Sequence, residues 1–529
     1  MRPRFFIGLF LAADLFICAT RALAVSCDVA SIQSIAPSNS KITSAVETTS
    51  GAIPYCQINA SITTDATLGD VIHYEVGLPD SSYWNSRFLF AGNAGLAGSI
   101  PFDLSSLQGS YAVAATDTGH TGANRDASWA LNNTPAVLDF EYRAVHESAV
   151  AAEQILSGYY GNPAYHSYFA GCSTGGRQGL VEAENYPTDF DGIAAGDPAI
   201  GQNYLAFNAN AQAILSPNSY LDSAAITLLN QAVLTQCDGL DGVVDGLIQN
   251  PAACAFNPAA LLCSPGQTTG CLTAGQIAAV NKIYQGPVDT AGATLYPGLS
   301  ISDPAQSAPA DAGWPQMITG CPQSSCKLPS FTGAEPWAGF PLTPTQWAAQ
   351  DGFYKYFISN NPNLDTKTIS FSNQVQLSAI TSRTASLGGE GMNADLTPFV
   401  TSGHKLLMYH GWSDPVFSPY VSVNYYNNVQ ATLGSNTADS IRLFMAPGMH
   451  HCQGFGPGPN SFDAVSALVS WVEQGVVPEG IVASHHINDN PTAPIDRTMP
   501  LCAYPELAIY DDVGPVNDAS SWSCSATNR

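Results

Sequence analysis

The chain has 529 residues, 45% of them hydrophobic and only 11% charged, with a formal net charge of −25. So acidic a surface excludes a nucleic-acid binder and a ligand of anionic membranes, because its field repels phosphate. The length exceeds what one hydrophobic core usually serves, so a large domain carrying a substantial insertion is expected.

The chain opens Met1-Arg-Pro-Arg4, continues through the apolar run Phe5 to Cys18 and reaches Ala22-Leu-Ala24. A basic start, an apolar middle and an A-x-A end predict a secretory signal peptide over 1–24, and hence a secreted, extracellular protein. A membrane anchor fails on length and on Asp14, since a span needs about 20 mostly apolar residues. Cys18 leaves with the leader, and the even set of cysteines that remains is expected to be fully paired. Closeness pairs Cys27 with Cys56, Cys237 with Cys254, Cys263 with Cys271, Cys321 with Cys326 and Cys502 with Cys524, leaving Cys172 and Cys452 over. Asn59-Ala-Ser61 and Asn132-Asn-Thr134 are sequons that a eukaryotic host would glycosylate at Asn59 and Asn132.

From Cys27 to about Asp80, short alternating runs such as Cys56–Ile62 and Val71–Val76 predict antiparallel strands. The apolar run Arg87-Phe-Leu-Phe-Ala91 then ends in a glycine-rich loop, Gly92 to Gly98. Such a loop after an early strand is where α/β-hydrolases place one oxyanion-hole amide, here at Ala94 or Gly95; an ordinary glycine turn is the alternative. Tyr111 to Asp117 reads as a strand, and Arg143 to Tyr160 as a helix with Val145, Ala149, Ala152 and Leu156 on one face. The strand His166 to Gly171 runs into Gly171-Cys-Ser-Thr-Gly175, which fits the G-x-S-x-G nucleophile elbow with Ser173 at its apex and Thr174 supplying the other oxyanion amide. A helix over 177–185 and a short strand Gly192–Ala195 follow. Strand and helix alternate, so the fold class is α/β with a mostly parallel sheet covered on both faces.

Near Gly201 this rhythm breaks. Residues 201–397 are Ala/Gln/Asn/Pro-rich and are read as an inserted lid domain, because a structureless loop of that length is implausible. The catalytic domain then comprises 25–200 and 398–529. Trp314, Phe331, Trp337, Phe340, Trp347 and Phe353 are candidates for a pocket lining, with core packing the expected fate of most. Within the insertion, Asp238, Asp241 and Asp245 are spaced by glycines and can wrap a hard cation, with the carbonyls of Val243 and Leu247 completing the set. The spacing is not that of an EF-hand, and a solvated acidic turn is the alternative.

The sheet resumes with His404–Gly411, followed by Asp414; a helix over 420–433 and a strand Ile441–Ala446 lead to His450-His451-Cys452. Asp414 and His451 each stand just past the C-terminal end of a strand, where an open α/β sheet gathers its active groups. A closing helix over 461–473 presents Val465, Leu468, Val469 and Val472. Serine needs a base to take its proton, and the base needs a carboxylate to fix its tautomer. The order Ser173, Asp414, His451 is that of α/β-hydrolases. Asp414 could instead cap a helix, and adjacent His450 competes with His451 for the role of base. A zinc site drawn from His450, His451, His485 and His486 lacks any ligand spacing.

Gly171–Gly179, Tyr142–His146, the aspartate loop 238–247, Lys405–Asp414 and Gly448–Cys452 together resemble the tannase and feruloyl esterase family of secreted serine esterases. The resemblance implies an α/β-hydrolase fold with a large lid, a disulfide joining Cys172 to Cys452, and a structural calcium ion held by Asp238, Asp241, Val243, Asp245 and Leu247. It implies hydrolysis of aromatic-acid esters, foremost feruloyl-type esters on plant cell-wall polysaccharide, with galloyl esters or a related aromatic mono-ester, such as that of terephthalic acid, as the alternative. A silent secreted protein that binds phenolics or polysaccharide is the reading from another class. Acyl specificity and oligomeric state are left open.

Overall fold

The structure, a computed structural model, describes residues 25–216, 218–302, 313–320 and 344–526. The predicted leader, the Cys321–Cys326 pair, Phe331, Trp337 and Phe340 lie outside the described residues. Nine strands form one sheet: β1 (Ser40–Ser50), β2 (Ile53–Asp65), β3 (Asp70–Pro79), β4 (Arg87–Ala91), β5 (Ala112–Thr116), β6 (His166–Cys172), β7 (Gly192–Gly196), β8 (Lys405–Gly411) and β9 (Ile441–Ala446). Their order is β1-β2-β3-β5-β4-β6-β7-β8-β9. The pairs up to β3/β5 are antiparallel and those from β5 to β9 are parallel. This is the α/β-hydrolase architecture expected from the alternation of strand and helix.

Side chains along a strand point alternately to its two faces, and two cores result. Phe90, Phe169, Ile193, Ala195, Leu406 and Met408 face one core. Their neighbours Leu89, Tyr168, Ala194 and Leu407 face the other. Glycines let helices approach β7 closely from both sides, one on the strand and one on a helix. A Cβ on Gly192 would lie 3.0 Å from Leu468 of the helix Ala464–Gln474, while one on Gly179 of the helix Thr174–Asn185 would lie 2.9 Å from Ile193. The predicted stripe of the closing helix is partly rotated: Leu468 and Val469 are buried as expected, but Ala464 and Trp471 join them while Val465 and Val472 are only half-buried. Asp463 caps this helix, so it starts later than expected, and the large Trp471 ring takes the interior place, with Lys405 Nζ 5.6 Å from its centroid.

Between β7 and β8 the chain leaves the sheet and builds helices, among them Asn203–Ile214, Ser223–Cys237, Ala274–Gln285 and Thr345–Gly352, around a separate core. Trp314 and Trp347 belong to that core, and Phe353 packs with Phe140 and Phe357 in another, so none of these three aromatics lines the cavity beside Ser173. The tail adds two hairpins, Gly480–His486 with Ile495–Cys502 and Leu507–Tyr510 with Trp522–Ser525, which Cys502–Cys524 staples together. Cys27–Cys56, Cys237–Cys254 and Cys263–Cys271 are bonded as closeness suggested.

The helix Thr174–Asn185 is enclosed along most of its length and carries Glu182 inside with it. Glu182 is 1% exposed and its Oε2 has no hydrogen-bond partner. Burial first, and the nearby Asp189 carboxylate second, push the Glu182 carboxyl well up. An unfolded glutamate loses its proton near about 4.3, so above that pH the folded chain binds the extra proton and stability falls as pH rises. Glu182→Gln keeps the shape and never ionises. It is expected to raise Tm at pH 8 by about 1–3 °C and to leave Tm near pH 4 unchanged; calorimetry at the two pH values showing a pH-independent difference would refute this.

Candidate active site

β6 stops at Cys172 and the helix starts at Thr174, so Ser173 alone makes the turn, with φ 66° and ψ −122°. A left-handed φ on a non-glycine residue is strained by about 1–2 kcal/mol and has to be held by its surroundings. The Ser173 amide donates to Gly196 O at 2.9 Å, and its carbonyl accepts from Arg177 N and Ala199 N at 3.0 and 3.1 Å. Glycine is needed on either side because the backbones nearly touch: a Cβ on Gly171 would sit 2.7 Å from Gly175 Cα.

Asp414 and His451 follow the ends of β8 and β9, which pair with each other. Asp414, fully buried after β8, accepts His451 Nδ1–H on Oδ2 at 2.8 Å and the amides of Val416 and Phe417 on Oδ1 at 2.6 and 3.1 Å. Burial opposes its charge, but His451 and a hydrogen bond from His410 outweigh it and hold the carboxyl well below the usual range. The opposite balance acts on His451: burial pushes the imidazole down, and the Asp414 charge, with Asp197 behind it, raises it overall. A bond from Nδ1–H to the carboxylate leaves Nε2 as the basic nitrogen. The helix after Asp414 begins only at Pro419, with Ser418 at its cap position, so Asp414 is not its N-cap. His450 is wholly buried with its amide on Phe455 O, and His451 is the neighbour that reaches the carboxylate. His485 pairs with Asp489 and Asp496, and His486 Nδ1 with Ala493 O, so the four histidines considered for zinc do not converge.

Cys172 and Cys452 are bonded, with their Cα atoms 6.0 Å apart across a sequence separation of 280. The bridge fixes the residue before Ser173 to the residue after His451. Ser173, Thr174, His451, Ala94 and Gly95 all line one cavity of about 450 Å³. The Thr174 hydroxyl donates to Gly95 O at 2.5 Å and ties the glycine loop to the elbow. The Asn93 amide is occupied by Gln178 Oε1 at 2.9 Å and that of Leu96 by Asn124 O at 2.7 Å, which leaves Ala94 and Gly95 as the loop amides beside Ser173.

The cavity wall facing the elbow belongs to the insertion and to the acid loop: Tyr204, Phe207, Met317, Gln346 and Phe417. Phe417 packs edge-on to the His451 ring at 5.1 Å and stacks on Phe207 at 5.6 Å. Gln346 Nε2 donates to Pro415 O and Val416 O at 3.0 and 3.1 Å, and Ser418 Oγ to Gly298 O at 2.5 Å. None of these residues was singled out by the sequence; the signal that would have found Phe417 is its place three residues after the acid. Two further side chains were missed, Asp197 after β7 and His410 in β8, although Asp197 stands at a strand end by the same rule that marked Asp414.

The aspartate loop lies away from this cavity. Asp238 accepts the amides of Asp245 and Gly246, Asp241 that of Val243, and Asp245 that of Leu247, while Arg497 pairs with Asp245 Oδ2 at 3.1 Å. Asp241 Oδ2 is buried without a hydrogen-bond partner. Of the sequons, Asn132 is exposed in a turn with φ 54°, whereas Asn59 lies in β2 and its Nδ2 donates to Ser44 Oγ at 3.0 Å.

A family model described as tannase and feruloyl esterase matches residues 56–525. A mono(2-hydroxyethyl) terephthalate hydrolase of Piscinibacter sakaiensis is 31% identical, the match covering 90% of this chain and 85% of that one. A probable feruloyl esterase B of Emericella nidulans is 32% identical over 89% and 86% of the two chains. The crystal structure of feruloyl esterase B from Aspergillus oryzae superposes with a TM-score of 0.78 at 28% identity, covering 93% of this chain and 98% of that one. If the bridge positions the base, Cys172→Ala/Cys452→Ala is expected to slow labelling of Ser173 by a fluorophosphonate by about 10²-fold while the fold persists. Labelling at the wild-type rate, read by mass spectrometry, would show the bridge to be only a staple.

Proposed function

The chain belongs to the tannase and feruloyl esterase family and is a carboxylic ester hydrolase, and from that premise we propose that it cleaves esters of hydroxycinnamic acids such as ferulate. The observation that carries the reading is the shared cavity. Ser173, His451 and the glycine loop open on a wall formed by Tyr204, Phe207 and Phe417, which suits a flat aromatic acyl group. A secreted enzyme working on plant cell-wall polysaccharide fits the described disulfides, and no helix among the described residues is long and apolar enough to cross a membrane. Galloyl esters are the second reading, supported by Asn124 and Arg125 on the cavity wall, polar groups of the kind that ring hydroxyls engage.

In this reading Ser173 Oγ attacks the acyl carbon while His451 Nε2 takes its proton, and Asp414 stabilises the imidazolium that forms. The oxyanion rests on the Thr174 amide, at the positive end of its helix, and on the amide of Ala94 or Gly95. Collapse expels the alcohol, which His451 protonates, and leaves the acyl group on Ser173. Water, deprotonated by the same imidazole, then releases the acid and restores the serine.

Calcium is part of the same proposal. The residues fit a hard cation: Asp238, Asp241 and Asp245 offer carboxylate oxygens, Val243 and Leu247 carbonyls, and the buried Asp241 Oδ2 has no other partner. When bound, the ion offsets the mutual repulsion of these carboxylates. The loop's own packing says what it would hold in place, because Val243 and Leu247 join Met499, Cys502 and Trp522 in a small core that docks the tail.

Ser173→Ala is expected to lower kcat on methyl ferulate by at least about 10³-fold with little change in KM. Initial rates on methyl ferulate, caffeate, sinapate and gallate test the acyl assignment, and a wild type that turned over p-nitrophenyl acetate but none of the four would overturn it. Chelation with EGTA is expected to lower Tm by a few degrees and added calcium to restore it, with Asp241→Asn abolishing both responses; a Tm indifferent to EGTA and calcium would remove the ion from the scheme.

A further inference from the structure

Asp197 follows β7 in Gly196-Asp197-Pro198 and is fully buried, with φ 38°. Its Oδ1 accepts the Gly411 amide at 2.9 Å and lies 3.7 Å from His410 Nε2. Its Oδ2 lies 3.4 Å from Cys172 Sγ, a disulfide sulfur with no proton to give. His410, also without exposure, places Nε2 3.2 Å from Asp414 Oδ2 and Nδ1 2.8 Å from Ser422 Oγ. One imidazole thus stands between two buried carboxylates, one of which carries the base. The remaining titratable groups facing Asp197 are His451 across the bridge and Tyr409, whose hydroxyl lies over Gly196. Neither Asp197 nor His410 is on the cavity wall.

We propose that Asp197 is a positioning residue of the esterase site, holding His410 against Asp414 and adding negative potential at His451, so that Asp197, His410, Asp414 and His451 respond as one unit. The proposal rests on the hydrolase reading of Ser173 and goes beyond it. Asp414 Oδ2 receives one imidazole proton from His451 and one from His410, while Oδ1 receives two amides, so its acceptor sites are filled and the carboxylate cannot turn. Asp197 bears on this arrangement in two ways: its Oδ1 faces the same His410 Nε2 that Asp414 engages, and its grip on the Gly411 amide fixes the end of β8. Burial pushes the Asp197 carboxyl up to about 6, Asp414 adding to the rise and His410 and His451 opposing it. Its charge therefore appears in the pH range where His451 must become neutral to act as base.

The sign follows. Ionised Asp197 raises the proton affinity of His451, so removing that charge lets His451 lose its proton at lower pH. Asp197→Asn suits the test because asparagine tolerates a left-handed φ and still accepts the Gly411 amide. The acidic midpoint of kcat/KM against pH on methyl ferulate is expected to move down by roughly 0.5–1 unit in the Asn variant. Asp197→Ser, which also removes the charge, is expected to move it the same way, with circular dichroism confirming the fold of each. A midpoint unmoved in active variants, or a loss of kcat without a shift, would overturn the proposal while leaving the hydrolase reading in place. Absence of Ser173-dependent turnover in the wild type would overturn that reading, and the proposal with it.

Discussion

The structure depends on one covalent constraint, the Cys172–Cys452 bond. Ser173 and His451 follow strands β6 and β9, which are separated in the sheet by β7 and β8 and in the sequence by the whole insertion. Without the bond, only non-covalent contacts would tie the one-residue turn at Ser173 to the loop that carries His451. Because the bridge joins the residue before Ser173 to the residue after His451, it acts at the backbone of both groups, where a displacement of about 1 Å is enough to lose some 10²-fold in rate. The strained φ of Ser173 adds a second reason: a residue in a sparsely populated conformation stays there only when its neighbours over-determine it.

Around this clamp the sheet supplies stiffness. The alternation of Phe169 with Tyr168, Ile193 with Ala194 and Leu406 with Leu407 loads both faces with apolar surface, so β6, β7 and β8 cannot slide without moving a whole core. The strand ends are thereby fixed points. Ser173, Asp197, Asp414 and His451 occupy four of them, and their mutual geometry is a property of strand spacing more than of any loop.

Much of this was legible in the sequence because it is local or periodic. The elbow is a contiguous pattern, the strands alternate, and Asp414 and His451 follow apolar runs whose ends are plain. The pairing of cysteines by closeness worked for short loops such as Cys263–Cys271, where chain entropy favours it. What stayed hidden depends on three-dimensional proximity. His410 looks like one more interior strand residue until the acid loop folds back over it, and Asp197 like a turn aspartate before a proline. Tyr204, Phe207 and Phe417 are drawn from the insertion and the acid loop and meet only in the folded chain. Conversely Trp314 and Trp347, the aromatics that composition made conspicuous, are large enough to be claimed by the insertion's own core.

The insertion is more than a roof. Asn210 donates to Gln346 Oε1, and Gln346 in turn holds the carbonyls of Pro415 and Val416, the two residues after Asp414. Ser302 reaches Trp412 O at 3.0 Å, and Gly298 O receives the Ser418 hydroxyl. The acid loop is therefore gripped on both sides of Asp414 by the same segment that shapes the cavity wall. Substrate selection and acid placement share these bonds, so a change that reshapes the wall through Gln346 also moves the carboxylate that orients His451. Coupling of this kind favours change at side chains that face the cavity without holding the loop, such as Tyr204, which stacks on Phe353. It also explains why a cavity lined by two separate parts of the chain can keep one geometry: the elbow side is fixed by the disulfide, the opposite side by the insertion's hold on the acid loop, and His451 sits where the two meet.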